Sequence, residues 1–368
     1  MTNLGKPNGS GSRLRNILFP LIAICLSLLL IALLLEVGLR IAGYSPGNVN
    51  YLSSFHEYDA KVGHRGKKNF EGRFKRPEFD TAIAHNGQGF RKQEFLSADK
   101  EKSCKRTIHV FGDSFVWGWG VGQGEGFTDL LNKDLPDVCV RNYGIISTGT
   151  VAQYVLFDSE IKKNVKPGDI VLLMFFSNDF DDNVWKGKVR GTVNNGNVSV
   201  QYEEKPFNSL KDRLEKASYA FNYLSYKVNL FQLSRKIKKT QEDHERKGAL
   251  APSDDRYVVT RHFLEAFNRE TRAKNARFIA AYIATQGEMG ESAINKPNKL
   301  ANEERLRKAF LELSSSLGLE TLDLLPLITA YKESHNNPKM TFTTDEHWNP
   351  TGHAVAARLI EEYLLQHP

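Results

Sequence analysis

A run of nineteen uncharged residues, 17–35 (ILFPLIAICLSLLLIALLL), is the feature that most constrains how this chain folds. As a helix it rises about 1.5 Å per residue and nearly matches the roughly 30 Å hydrocarbon core of a bilayer. Its leucines surround the helix on all sides, which disfavours a buried helix in a soluble core. We predict a cytoplasmic N-terminus over residues 1–16 and a transmembrane anchor over residues 17–37.

A cleaved signal peptide is the closer alternative for this segment. Its apolar region usually spans about 7–15 residues and ends at a small-residue cleavage site. Here the run is longer and continues into Glu36, Val37 and Gly38 without an A-x-A pattern. Three basic residues and no acidic residue precede it, so the positive-inside rule places the N-terminus in the cytoplasm. We predict a single-pass protein of the inner (cytoplasmic) membrane with its main domain periplasmic or otherwise extracytoplasmic.

The charge balance argues against a nucleic-acid partner. The whole chain carries +7, but the first 44 residues hold four basic residues and one acidic residue. The remaining 324 residues carry 46 basic and 42 acidic residues, a net charge of +4, without a Lys/Arg block. The sequence also lacks zinc-ligand spacings and a phosphate-binding G-x-x-x-x-G-K-[ST] pattern, so we expect no metal and no cofactor.

Two cysteines of the exported part are candidates for a disulfide. Cys25 lies within the apolar run, whereas Cys104 precedes one predicted strand and Cys139 opens the next. An oxidising compartment permits a bridge between them. A pair of buried thiols is the alternative.

Residues 105–368 alternate between short apolar runs and helical segments, which predicts an α/β domain with a mainly parallel sheet. The predicted strands cover residues 107–111, 138–143, 169–176 and 277–284. The predicted helices cover residues 127–135, 150–162, 257–274, 304–316 and 351–365. The run at 169–176 is almost continuously apolar, as expected for a strand with helices on both faces of its sheet.

Two regions depart from this alternation. Residues 45–104 show weak periodicity and are interpreted as an extended lead-in. Residues 185–255 form an insertion, with a predicted hairpin over 189–202 around Asn194-Asn195-Gly196 and a long helical segment over 209–239. That segment carries apolar residues at helical spacing together with three tyrosines. It either packs on the core or acts as a lid or membrane-leaning element.

Three motifs follow the first three predicted strands of the sheet. Gly112-Asp113-Ser114 places a hydroxyl where a helix would begin, at the strand ends where ligands bind in open parallel sheets. Gly144 ends the second strand, where a glycine lets backbone N–H groups approach an anionic oxygen closely. Asn178 follows the third strand and offers a neutral amide donor. Each motif alone is also compatible with a turn or a helix cap.

A fourth motif, Thr-Asp-Glu-His-Trp-Asn-Pro, lies near the C-terminus. The imidazole of His347 makes a suitable general base, and a carboxylate beside it can fix its tautomer and stabilise the imidazolium. Asp345 and His347 are two residues apart, so in an extended segment their side chains leave the same face.

In this order, the motifs resemble the sequence blocks of the SGNH, or GDSL-like, hydrolases over residues 105–183 and 257–366. The matching positions are, block by block, Gly112-Asp113-Ser114, Gly144, Asn178 with Asp179, and Asp345 with His347. The resemblance implies a three-layer α/β/α domain with a mainly parallel sheet, preceded here by one transmembrane helix.

The resemblance also implies the roles of the site residues. Ser114 would be the nucleophile, His347 the base, and Asp345 the residue that orients His347. The Ser114 N–H, the Gly144 N–H and the Asn178 side chain would form the oxyanion hole.

The Asp-x-His spacing is shorter than the more usual Asp-x-x-His. It leaves Glu346 as an alternative to Asp345 for orienting the imidazole. The Asp-x-His-Trp-Asn form is similar to membrane-anchored and exopolysaccharide-associated branches of the superfamily.

The function implied is a serine esterase acting on acyl esters, with O-acetyl groups of an extracytoplasmic glycan as the expected substrate. An O-acetyltransferase of the same fold, a lipid esterase or thioesterase, and a non-catalytic assembly or binding protein are the alternatives. Trp117, Trp119 and Trp348 could stack on sugar rings or be packing residues. The acyl group, acceptor, protein partners and oligomeric state are not predicted.

Overall fold

A computed structural model of the chain describes residues 10–44, 55–203, 210–228, 250–292 and 297–367. These residues fall into two compact units. The helical unit comprises the described residues 10–44 and 210–228, and the sheet unit comprises the remainder. Residues 229–239 of the predicted helical segment and residues 1–9 of the predicted cytoplasmic segment lie outside the described residues.

The two units contain twelve α-helices and eleven strands among the described residues, besides three short π or 3₁₀ turns at Phe157–Ile161, Lys162–Asn164 and Asp182–Lys186. The helices are, in chain order, α1 (Ser10–Ile41), α2 (Ala98–Ser103), α3 (Ser114–Trp117), α4 (Phe127–Asp134), α5 (Thr150–Leu156), α6 (Asp179–Asp181), α7 (Leu210–Ala217), α8 (219–228), α9 (Asp255–Arg272), α10 (Pro297–Ser316), α11 (Leu324–Ser334) and α12 (Pro350–Gln366). The strands are, in chain order, β1 (His56–Asp59), β2 (Gly63–Gly66), β3 (Glu71–Arg76), β4 (Phe79–Ala84), β5 (Arg106–Gly112), β6 (Val138–Gly144), β7 (Ile170–Phe175), β8 (Val189–Asn194), β9 (Asn197–Tyr202), β10 (Arg277–Tyr282) and β11 (Glu320–Asp323).

The sheet unit is built on a five-stranded parallel sheet in the order β11-β10-β7-β5-β6. Four of its strands confirm the runs predicted from sequence. The edge strand β11 was not predicted, because its four residues (ETLD) are mostly half-buried and form no apolar run. The observed fold confirms the expected α/β class with a mainly parallel sheet.

Helices cover both faces of this sheet. On one face, α4, α11 and α12 pack on a cluster that includes Val110, Leu172 and Ile279. On the other face, α5, α9 and α10 pack on a cluster that includes Phe111 and Leu173. Every residue of β7 is buried, as predicted for a central strand covered on both sides.

The lead-in contains two antiparallel hairpins, β1–β2 and β3–β4, where the sequence analysis expected an extended segment. Phe55, Phe74 and Ile83 bury their side chains against Trp117 and Trp119. The aromatic residues drive this folding, because they remove a large apolar area from water. The hairpin pattern was hidden in the sequence by the charged residues on the exposed strand faces.

The structure decides between the two alternatives for the cysteines and confirms the predicted hairpin. Cys104 and Cys139 form a disulfide that joins α2 to β6. The strands β8 and β9 pair as a hairpin, and Val189 packs against Val259 and Phe263 of α9.

The helical unit contains α1, α7 and α8. Within α1, the 24-residue segment Leu18–Ile41 is long and apolar enough to cross a membrane. The predicted single helical segment is interrupted at Ser218, between α7 and α8. There the Ser218 hydroxyl accepts the N–H of Phe221 at 3.1 Å, which is the hydrogen bond of a helix N-cap.

Candidate active site

Ser114 lies at the end of β5, at the first residue of the short helix α3. The chain turns sharply at Gly112, where an added Cβ would lie 2.3 Å from Val116 Cγ2. Asp113 caps the helix by accepting the Phe115 N–H at 2.9 Å. This strand–turn–helix arrangement places the Ser114 hydroxyl at the carboxyl edge of the sheet.

The structure brings Ser114, His347 and Asp345 into one hydrogen-bonded chain. Ser114 Oγ lies 2.7 Å from His347 Nε2. On the other side of the ring, His347 Nδ1 bonds to Asp345 Oδ1, which also accepts the backbone N–H of His347 at 3.1 Å. This order of groups can pass a proton from the hydroxyl to the imidazole while the carboxylate holds the ring.

A bend in the backbone brings the Asp345 carboxylate to the His347 ring despite the short two-residue spacing. Asp345 and His347 lie in a bent segment and not in the extended one that the sequence analysis expected. Because Asp345 Oδ1 accepts the backbone N–H two residues later, the turn itself points the carboxylate at the ring. Glu346, the alternative orienting residue, instead pairs with Lys299 at 3.2 Å.

Two carboxylates hold the segment that carries this pair. Glu78, in the turn between β3 and β4, accepts the N–H groups of Thr343 and Thr344 at 2.6 and 2.8 Å. Glu291 accepts the N–H groups of Met340 and Thr341. Sequence reasoning missed both residues, because neither belongs to a motif and both are distant in the chain.

Trp119 supports the acid and the base together. Its Nε1–H donates to Asp345 Oδ2 at 2.9 Å, and its ring stacks on His347 with centroids 4.8 Å apart. Burial raises the pKa of Asp345, but hydrogen bonds from His347 and Trp119 lower it, and the net pKa is below its ordinary value. Asp345 is therefore ionised at neutral pH, as a partner of an imidazolium should be.

We expect Trp119→Phe to lower kcat about tenfold while leaving KM almost unchanged. Phenylalanine keeps a ring over His347 but removes a hydrogen bond to an ionised carboxylate, which contributes about 1.5 kcal/mol. The matched control is Trp348→Phe, because Trp348 Nε1 is buried without a hydrogen-bond partner. Steady-state kinetics on an acyl ester measure both variants. Equal kcat values for them would contradict the positioning role of Trp119.

A cavity of about 360 Å³ opens beside Ser114 and His347. Its lining residues are Asp113, Ser114, Trp119, Ile146, Ser147, Phe176, Asn178, Asp182, Glu346 and His347. Asn178 Oδ1 is buried without a hydrogen-bond partner. The side-chain NH₂ is then the polar group that Asn178 can present to the cavity. This agrees with the predicted role of Asn178 as a hydrogen-bond donor.

Two buried carboxyl groups, Asp113 in the cavity lining and Asp179 next to Asn178, have raised pKa values. Burial raises the pKa of Asp113 to about 6, although the hydrogen bond from the Phe115 N–H opposes this shift. Burial, with Asp113 and Asp182 nearby, raises the pKa of Asp179 well above its ordinary value. Asp179 accepts the Thr150 hydroxyl at 2.9 Å and so ties the start of α5 to the residue after Asn178.

Gly144 does not fit the oxyanion-hole role that the sequence analysis gave it. Its N–H donates to Asn142 Oδ1 at 2.9 Å, and the residue does not line the cavity. An added Cβ would lie 2.3 Å from Trp117 N, so glycine is required here for the close approach of α3 to β6. A glycine is needed at position 144, but the reason is close packing and not anion binding.

Ser147, three residues further on, occupies the position that faces the cavity. It is exposed there and has a φ of +57°, a backbone conformation that favours glycine. Its N–H, like that of Ser114, has no hydrogen-bond partner among the described residues. Sequence reasoning missed Ser147, because a serine in this conformation gives no glycine signal.

We expect Gly144→Ala to destabilise the sheet unit by about 1–3 kcal/mol, because the methyl group would overlap the backbone between Val116 and Trp117. Urea unfolding followed by tryptophan fluorescence measures the change. Ser147→Gly is the contrasting variant, and it should unfold at the same or a higher urea concentration, because it relieves the positive φ. A stable Gly144→Ala protein would contradict the packing role.

Two of the three candidate tryptophans, Trp117 and Trp348, are not placed to stack on a sugar. Trp117 and Trp348 are buried in the core, which excludes the stacking alternative for both. Among the described residues, His, Cys, Asp and Glu side chains form no group of three or more that could hold a metal ion.

Residues 241–368, about a third of the chain, match a family model described as the SGNH hydrolase-like domain of the acetyltransferase AlgX. That part of the chain resembles an SGNH hydrolase-like domain. The matched residues include Asp345 and His347. Ser114 and Asn178 lie outside the matched residues, and the fold brings them to the same cavity as His347. Ser114, His347 and Asp345, hydrogen-bonded in this order, are the residue types that a serine hydrolase or a related acyltransferase uses.

The chain is also similar, at low sequence identity, to several solved structures. A lipolytic protein of the G-D-S-L family from Veillonella parvula is 12% identical, with 70% of this chain and 97% of that chain covered and a TM-score of 0.39. A lipase/acylhydrolase from Enterococcus faecalis is 15% identical, with 70% and 95% covered and a TM-score of 0.39. The acetyl xylan esterase AlAXEase is 14% identical, with 70% and 98% covered and a TM-score of 0.41. No curated protein sequence matches the chain significantly.

Proposed function

We propose that this chain is a membrane-anchored serine esterase that cleaves O-acetyl esters of an extracytoplasmic glycan. The hydrogen-bonded chain from Ser114 through His347 to Asp345, at the wall of an open cavity, is the observation that carries the proposal. Such a chain converts a weakly acidic hydroxyl into a nucleophile at neutral pH.

The proposed reaction begins when His347 Nε2 takes the proton of Ser114 Oγ as the oxygen attacks the ester carbonyl. The resulting oxyanion accepts hydrogen bonds from the Ser114 N–H, the Ser147 N–H and the Asn178 amide. The C–O bond to the sugar breaks, and His347 returns the proton to the leaving alcohol. Water then attacks the acyl-Ser114 ester with His347 as base again, which releases the acid and restores the serine.

The charges of the cavity favour a neutral substrate over a polyanionic glycan. Its lining contains the carboxyl groups of Asp113, Asp182 and Glu346 and, among the described residues, no Lys or Arg. Like charges brought together in a partly desolvated cleft repel each other. The volume of about 360 Å³ suits an acetylated sugar residue rather than a long acyl chain.

Anchoring and export belong to the same proposal. The segment Leu18–Ile41 supplies an apolar helix of sufficient length, and basic residues precede it. The disulfide between Cys104 and Cys139 agrees with an oxidising compartment such as the periplasm. We infer an uncleaved anchor in the inner membrane with the SGNH domain on its extracytoplasmic side.

An O-acetyltransferase is the second candidate, because the matching family model is described by an acetyltransferase. Transfer and hydrolysis share the acyl-Ser114 step and differ in whether a sugar hydroxyl or water takes the acetyl group. The test incubates the full chain in detergent with a neutral oligosaccharide that carries isotopically labelled acetyl groups, together with an unacetylated acceptor. Labelled acetate supports the esterase, and labelled acceptor supports the transferase.

The controls for this test are Ser114→Ala and a fluorophosphonate probe. Neither acetate nor labelled acceptor should form with the variant, and the probe should react with the wild-type chain alone. A wild-type chain that fails to react with the probe and to turn over any acetyl ester would contradict the proposed function.

A further inference from the structure

In the helical unit, the end of α1 is hydrogen-bonded to the start of α8. The Glu36 carboxylate accepts hydrogen bonds from Ser218 Oγ at 2.9 Å, the Tyr219 N–H at 3.2 Å and the Ala220 N–H at 2.8 Å. Arg40 pairs with the same carboxylate at 2.6 Å. An anionic group on the free N–H groups of a helix start satisfies these donors and interacts favourably with the helix dipole. These bonds fix the start of α8 at the level of Glu36.

One face of α8 continues this contact with α1 and the residues after it. The Tyr44 hydroxyl donates to Asn222 Oδ1 at 2.8 Å. The Tyr44 ring meets those of Tyr219 and Tyr223 edge-on, with centroids 6.3 and 5.8 Å apart. The Arg40 guanidinium lies over the Tyr219 ring at 4.5 Å. The inner face of α8 is thus occupied by polar and aromatic contacts within the helical unit.

The opposite face of α8 is apolar and exposed. Phe221, Leu224 and Val228 follow a helical i, i+3, i+7 spacing and are 37%, 53% and 53% exposed. In α7, Leu210 and Leu214 are 72% and 40% exposed. The two adjoining helices thus expose five large apolar side chains, which indicates an interaction surface.

The position of Glu36 in the chain identifies what covers this surface. Glu36 is the first charged residue after the nineteen uncharged residues of α1 that span the hydrocarbon core. The hydrogen bonds that Glu36 accepts from the start of α8 therefore hold this helix at the boundary between acyl chains and head groups. At that depth, lipid surrounds a single spanning helix, and tyrosines are enriched there.

We propose that α7 and α8 form an interfacial membrane element, with Phe221, Leu224 and Val228 inserted among the lipids of the extracytoplasmic leaflet. The inference rests on the anchoring of α1 that is part of the proposed function. Apolar side chains at this level bury their area in the outer acyl region while the polar inner face stays on the anchor. The chain thereby has a second membrane contact besides its spanning helix.

The test uses fluorescence quenching in vesicles of phosphatidylethanolamine and phosphatidylglycerol. The full chain with Cys25→Ala carries one environment-sensitive label at a time, through Leu29→Cys, Leu224→Cys or Lys308→Cys. Leu29 lies within the spanning segment, and Lys308 is an exposed residue of the sheet unit. Lipids with a spin label either near the head group or near the bilayer centre serve as quenchers. A cooperative thermal transition followed by circular dichroism, which does not depend on the proposed activity, verifies that each labelled protein is folded.

We expect the label at Leu224 to lose most of its fluorescence to the shallow quencher and less to the deep one. The label at Leu29 should respond most to the deep quencher, and the label at Lys308 should respond to neither. If the label at Leu29 is quenched but the label at Leu224 is no more sensitive than the label at Lys308, the inference is overturned and the anchoring is retained. A Leu29 label that no lipid quenches overturns the anchoring itself. A Leu224 label with blue-shifted emission that lipid does not quench is covered by protein, and this result also overturns the inference.

Discussion

Ser114→Ala is expected to lower kcat/KM for an acetyl ester by about 10⁴-fold or more, because it removes the atom that would form the covalent bond to the acyl group. KM should change little, since the substituted hydroxyl is small and the cavity lining is otherwise intact. The loss should be as large in His347→Ala, whose imidazole lies 2.7 Å from the hydroxyl. Steady-state kinetics on a chromogenic acetyl ester measure both variants.

The decisive feature of this experiment is the combined variant. If Ser114 and His347 act as one unit, Ser114→Ala together with His347→Ala should be no slower than either single variant, because the second substitution removes nothing further. Ser177→Ala, at the end of the neighbouring strand, controls for loss of a serine hydroxyl near the sheet edge. Additive losses in the combined variant, or full activity of Ser114→Ala, would contradict the acyl-serine mechanism.

The parallel sheet could be predicted because its central strands carry strong local signals. The segment at 169–176 is apolar throughout, and the observed strand Ile170–Phe175 is buried on both faces. The edge strand Glu320–Asp323 is too short and too polar to give such a signal. The hairpins of residues 56–84 depend on contacts of Phe55 and Phe74 with Trp117, more than forty residues further along the chain, and local pattern does not encode such partners.

The reacting side chains of the site could be predicted, whereas the groups that hold them could not. A serine and an amide after strand ends and an acid–base pair near the C-terminus have a recognisable chemistry. The structure places Ser114, Asn178 and His347 around one cavity, with Asp345 hydrogen-bonded to His347. Trp119 donates a hydrogen bond to Asp345, and Glu78 accepts one from the backbone before it. The identity of these residues in the sequence does not indicate such supporting contacts. Gly144 shows the opposite error, because a glycine needed for close packing gives the same signal as one needed for anion binding.

Asp345→Asn is expected to lower kcat by about 10³–10⁴-fold with little change in KM or in unfolding temperature. The ionised carboxylate holds Nδ1–H of His347 and stabilises the imidazolium that forms when the Ser114 proton moves. An asparagine is of nearly equal size, but if its amide oxygen accepts the Trp119 N–H, its NH₂ faces His347 Nδ1 and favours the wrong tautomer of the imidazole. The effect therefore reports the loss of both the charge and the acceptor at Asp345 Oδ1. Rapid single-turnover measurements would place the loss in the acylation step, where the imidazolium first forms.

Glu346→Gln is the matched control, because it removes one negative charge from the adjacent residue without touching His347. Glu346 pairs with Lys299 at 3.2 Å, so its charge is already partly balanced, and the neutral side chain should change kcat less than about tenfold. A larger loss of kcat in Glu346→Gln than in Asp345→Asn would mean that Glu346 orients the imidazole in solution. The comparison thus decides how an Asp-x-His spacing operates: the Asp345 turn predicts a large loss at Asp345 and a small one at its neighbour.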